Sequence, residues 1–250
     1  MLPFERLRSL ARYVGDDRGL VFEAADCLAD FTDDPTQLVT ACRRLVAHHA
    51  TNGMLWWLCA HVLTAADPAT GAREATRALE RDRTASRLSS LLPFPHDDPI
   101  AVLGWPDVIG AALTERPDLD VVSVRLPGAP RRHAERRLRV LDEVETLAAG
   151  PTHVLVEAQA CGPTSAVVPA GAVDLTRSLT GAQLWLVVPT GHLLPARLFD
   201  VLRGQLDDDG DAELLEARDA TQTAGPWGLE APDRLPRHVD CPVAPELLRL

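Results

Sequence analysis

Two short apolar runs, Val154–Ala158 and Leu184–Val188, constrain this chain more than any other feature. Both are β-rich, and both are bounded by Gly or Pro. That pattern belongs to strands buried on both faces of a parallel sheet. Parallel neighbours need a crossover, and the intervening residues supply one. A Gly/Pro/Ser/Thr-rich loop, Cys161–Gly171, is followed by a helical stretch, Ala172–Leu179. Strand, loop, helix and strand make a βαβ unit within Thr152–Pro189. Ligands of open parallel sheets bind in loops at the carboxyl ends of strands, so a small-molecule site is expected there.

The neighbouring residues extend the pattern. Ile100–Leu103 is an apolar run ending in Gly104, and Pro106–Thr114 suits a helix. Val121–Leu126 reads as a second strand, closed by the turn Pro127-Gly128-Ala129-Pro130. Arg131–Val144 is read as a helix with a basic face, solvated rather than ligand-binding because Glu135 interrupts it. Leu194–Leu206 is a helix, Ala212–Ala217 an edge strand, and 219–245 loop-rich. Strands alternating with helices predict an α/β fold with a doubly wound parallel sheet. At least four parallel strands are expected, at 100–103, 121–125, 153–158 and 183–188.

Residues 1–92 carry only helical signals. Asp34-Pro35 and Asp67-Pro68 each pair an N-cap with proline at the first helical position. Asn52–Ala65 is apolar on nearly every side and predicts a buried central helix. The proline-rich Pro93–Pro99 reads as a linker. Two domains are therefore expected: a helical domain over 1–92 and a Rossmann-like domain over 99–250.

Composition narrows the functions. A net charge of −11 disfavours nucleic-acid binding, which relies on cations facing phosphates. The chain has no lysine, so its 25 basic residues are all arginine, and Schiff-base and P-loop chemistries are excluded. No apolar stretch is long enough for a transmembrane helix, and the charged N-terminus does not read as a signal peptide. The five cysteines form no CxxC pair, so no disulfide framework or zinc site is expected, and a reducing cytoplasm is the expected setting. His48, His49 and His61 lack metal-ligand spacing. No metal or cofactor is expected.

The order of parts, with three short stretches, carries a resemblance. Ile100–Ile109 (IAVLGWPDVI), His153–Ser165 (HVLVEAQACGPTS) and Val239–Leu247 (VDCPVAPEL) fall in sequence after a helical segment. The chain resembles the family that unites the regulatory alpha, beta and delta subunits of initiation factor 2B with methylthioribose-1-phosphate and ribose-1,5-bisphosphate isomerases. The likeness implies a helical N-terminal domain followed by a NagB/RpiA/CoA-transferase-like Rossmann sheet. It also implies a homodimer or larger assembly and a phosphorylated small-molecule partner. In the last stretch Asp240, Pro245, Glu246 and Leu247 all match the family's pattern. Elsewhere the chain departs from it. Gln159 stands where the isomerases place a catalytic Asp, and Gln cannot exchange a proton near neutral pH. The loop after the first strand, Leu103-Gly104-Trp105, lacks their catalytic Cys. Pro169-Ala170 replaces a pair containing lysine.

These residues lead to a non-catalytic initiation factor 2B-like protein, with a sugar-phosphate or nucleotide pocket or with an assembly role alone. The pocket would be lined by Gly104, Trp105, Arg125, Glu157, Gln159, Gly162 and Gly171. In it Glu157 is either a pocket carboxylate near Arg125 or a structural ion pair, and Trp105 either stacks on a ligand or packs inside. An anion would sit on the first amides of the helix after Gly171. Two alternatives stand. One is an isomerase with relocated groups, Glu157 as base and Cys161 as acid. The other is an interaction module that binds through an exposed Trp56 or Trp57. His192 is expected in a solvent-exposed loop.

Overall fold

The structure is a computed structural model that describes residues 3–13, 15–31, 33–92, 99–104, 106–127, 139–207 and 210–249. They form two compact units, each gathered from separate stretches of chain. One holds Met1–Asp82, Thr190–Leu206 and Val239–Leu250; the other holds Arg83–Pro189 and Asp207–His238. These units do not follow the expected division between 92 and 99. Residues 84–91 form a helix whose Leu88, with Leu92, packs into the core of the sheet. Most of the expected linker, 93–98, lies outside the described residues.

The first unit begins with α1 (Pro3–Leu10), α2 (Asp17–Ala29), α3 (Pro35–His48), α4 (Gly53–Thr64) and α5 (Pro68–Glu80). Asp34 and Asp67 cap as their sequence predicts: the amides of Gln37 and Thr70 donate to their carboxylates at 3.0 Å. α4 is buried around most of its circumference, from Met54 to Ala60. Trp56 and Trp57 are 0% and 2% exposed, so the interaction surface expected there does not exist. Their indole N–H groups donate to Ala50 O and Asp240 Oδ1. The second bond ties the C-terminal motif to α4. Arg43 of α3 donates to Glu246 O at 2.8 Å, and Leu247 is fully buried. The motif that carries the family likeness is thus a structural clasp on the helices.

The second unit contains α6 (Thr84–Leu91), β1 (Ile100–Leu103), α7 (Asp107–Thr114), β2 (Val121–Val124), β3 (Arg139–Leu141), α8 (Glu143–Ala149) and β4 (His153–Glu157). They are followed by β5 (Ala160–Cys161), β6 (Ser165–Pro169), α9 (Ala172–Ser178), β7 (Gln183–Val187), β8 (Ala212–Glu216), β9 (Gln222–Gly225) and β10 (Gly228–Glu230). Seven strands form one sheet in the order β10-β9-β7-β4-β1-β2-β3, parallel except for β10. β1 is apolar and buried throughout, and β4 is apolar and buried over Val154–Val156, between His153 and Glu157, as a strand covered on both faces requires. Without β10 the order is that of a dinucleotide-type doubly wound sheet. The chain reverses direction across the sheet between β1 and β4.

Three sequence expectations fail here. The stretch 139–141, read as helix, is an edge strand beside β2, and the following helix starts only at Glu143. Asp142 and Glu145 form a capping box that fixes this start. The loop 161–171 contains β5 and β6, which pair antiparallel, and β6 pairs in turn with β8 to make a second sheet. The loop-rich 219–245 supplies β9 and β10 to the main sheet.

Candidate functional site

The crevice between the carboxyl ends of β1 and β4 is the place where sheets of this order bind ligands. Gly104 ends β1 at φ +71°, a left-handed conformation suited to glycine. Its amide donates to Val124 O, and its carbonyl accepts from Ser123 Oγ, both at 3.0 Å. α7 follows without a side-chain N-cap, since Pro106 precedes it. Its first-turn amides therefore need an acceptor. Glu157, the last residue of β4, supplies one: Oε2 accepts from the amides of Val108 at 3.1 Å and Ile109 at 3.0 Å. A carboxylate here also meets the positive end of the helix dipole. Phosphates occupy the equivalent position in dinucleotide-binding sheets, at the start of the helix after the first strand.

α9 repeats the arrangement. Gly171, at φ +89°, precedes it and offers no capping side chain. The amide of Val173 donates to Glu213 Oε1 of β8 at 2.6 Å. The anion position expected after Gly171 is thus filled by the chain itself. Gly171's lack of a side chain serves an internal contact, since a Cβ there would lie 3.3 Å from Pro127 Cδ. Glu213 was not legible as a site residue. Its partner is a main-chain amide, and β8 reaches its place through pairing with the distant β6.

Gln159, Cys161 and Gly162 lie together at the β5–β6 hairpin. Gln159 donates its main-chain amide to Val167 O, and its buried Oε1 has no hydrogen-bond partner among the described residues. The Gly162 amide donates to Ser165 O and closes the β5–β6 turn. Cys161 is buried, its Sγ directed at Gly162 O, and burial pushes the thiol up to about 12. Arg125 is exposed beyond β2, and its side chain makes no ion pair among the described residues, so the expected pairing with Glu157 is absent. Trp105 lies outside the described residues, as does most of 131–139. In the helical unit His192 is 7% exposed rather than solvated, with Nδ1 3.2 Å from Thr190 O. No cluster of three or more His, Cys, Asp or Glu among the described residues is arranged to hold a metal ion. No helix there is long and apolar enough to cross a membrane.

No protein-family model and no curated protein matches the chain. Solved structures do. A translation initiation factor eIF-2B from Pyrococcus horikoshii is 13% identical with a TM-score of 0.73, covering 93% of this chain and 98% of that one. A chain of the tetrameric eIF2B-beta2-delta2 complex from Chaetomium thermophilum is 12% identical with a TM-score of 0.70, over 93% and 91% of the two chains. The 5-methylthioribose 1-phosphate isomerase of P. horikoshii is 12% identical with a TM-score of 0.63, over 94% and 86%. The chain therefore has the fold shared by eIF2B subunits and 5-methylthioribose 1-phosphate isomerase.

Proposed function

We propose that this chain is a non-catalytic representative of that fold and acts as an assembly module, as a homodimer or larger. The observation that carries the reading is the Glu157 carboxylate on the first-turn amides of α7. A free phosphate would have to displace an acceptor that the chain supplies in place. Glu213 does the same at α9. The alternative, an isomerase using Glu157 as base and Cys161 as acid, is disfavoured. One Glu157 oxygen is committed to two amides, and the Cys161 thiol is buried. Gln159 offers no exchangeable proton. The assembly role is supported by the tetrameric eIF2B-beta2-delta2 complex among the similar structures.

The test is to assay the purified chain for turnover of 5-methylthioribose 1-phosphate and ribose-1,5-bisphosphate and to measure its mass by sedimentation. No turnover and a dimer or larger species are expected. Turnover that Glu157→Gln abolishes in a folded protein would make the chain an isomerase.

A further inference from the structure

We propose that the corner between β10 and the 3-10 stretch Pro232–His238 binds a small oxyanion, a phosphoryl or carboxylate group on a soluble molecule. The corner is held by stacking and hydrogen bonds. β9 and β10 join through Pro226-Trp227, with Gly228 at φ +106°. The Trp227 ring folds back over β9: a Cβ at Gly225 would lie 2.6 Å from its Cζ2. The indole stacks on the His238 imidazole with centroids 4.2 Å apart and planes 8° from parallel. Glu230 fixes the imidazole at one nitrogen, with Oε2 3.1 Å from Nε2. Thr223 Oγ1 donates to Glu230 O and steadies the strand from which that carboxylate projects.

Beside this stack lies a hollow of about 440 Å³ lined by Glu230, Ala231, Arg234, Arg237 and His238. Its size suits a small-molecule group. Side chains three residues apart on a 3-10 helix eclipse each other, so Arg234 and Arg237 share a face. Arg237 has no hydrogen bond or ion pair among the described residues. Among the described residues the Arg234 side chain reaches only Asp233, at 3.9 Å between exposed side chains, a contact of little worth. Glu230 is turned to His238. Two guanidinium groups lining one hollow without a firm counter-charge favour an anion between them. The planar guanidinium fork matches carboxylate and phosphate oxygens in two-point contacts.

The test titrates the full chain with inorganic phosphate and, separately, with succinate at constant ionic strength. The His238 imidazole resonances are followed by NMR and the heat by calorimetry. A saturable shift at His238 is expected with either or both anions, and the stronger of the two identifies the group recognised. Arg234→Gln/Arg237→Gln should weaken binding at least about tenfold, the loss of two charge-assisted contacts. Its circular dichroism should be unchanged, and the control Arg203→Gln should bind as the parent does. No saturable response to either anion, or an equal response in the double variant, would overturn the proposal.

Discussion

The β1–β4 crevice and the β10 corner belong to one sheet and are finished in opposite ways. In the crevice, the first-turn amides of α7, which could receive an anion, already hold the Glu157 carboxylate, and at α9, beside the second sheet, Glu213 does the same for Val173. At the corner, Arg234 and Arg237 face a hollow and lack a firm counter-charge. The strand order that makes the crevice a ligand site in other doubly wound sheets is present here. One carboxylate from β4 occupies two first-turn amides of α7. Binding capacity therefore follows side chains and not the fold.

Removing the Glu157 carboxylate is the strongest way to break this contrast. Glu157→Ala strips two amides of their acceptor, and urea unfolding should show a loss of about 2 kcal/mol. Glu157→Gln keeps an acceptor oxygen without its charge, and the loss should fall to about half of that. Inorganic phosphate should raise the stability of Glu157→Ala by more than that of the parent, because the corner is present in both and the freed α7 amides only in the variant. Glu213→Ala leaves a single amide unmet, so about 1 kcal/mol is expected in the same measurement. The corner should respond least. Arg234→Gln/Arg237→Gln should stay within about 0.5 kcal/mol of the parent in anion-free buffer, because the arginines are exposed and barely paired. A larger loss would mean that the arginines serve the fold and not a ligand.

What the sequence showed and what it hid divide along the range of the interactions. The strands at 100–103, 121–124, 153–157 and 183–187 were legible because each carries its own apolar run. The caps at Asp34 and Asp67 were legible because donor and acceptor lie three residues apart. β6 was missed because its partner β8 lies far along the chain and its flanks are rich in Gly, Pro, Ser and Thr. The Asp142-to-Glu145 spacing of a capping box is present in the sequence, but the arginine-rich run before it hides the helix start. Glu157 stood out at the end of its strand, yet its role did not, since any residue but proline can provide the amides it accepts. Arg234 and Arg237 were hidden in a stretch whose prolines read as loop, although 3-10 spacing places them side by side.

We infer that Glu157 closes the crevice to phosphates. This inference is tested most directly by calorimetric titration of 5-methylthioribose 1-phosphate into the Arg234→Gln/Arg237→Gln chain, which removes the corner, with Glu157 intact and with Glu157→Ala added. The account predicts no saturable binding while Glu157 is present and measurable binding once it is replaced. Saturable binding with Glu157 in place would show that the crevice is open and contradict the account.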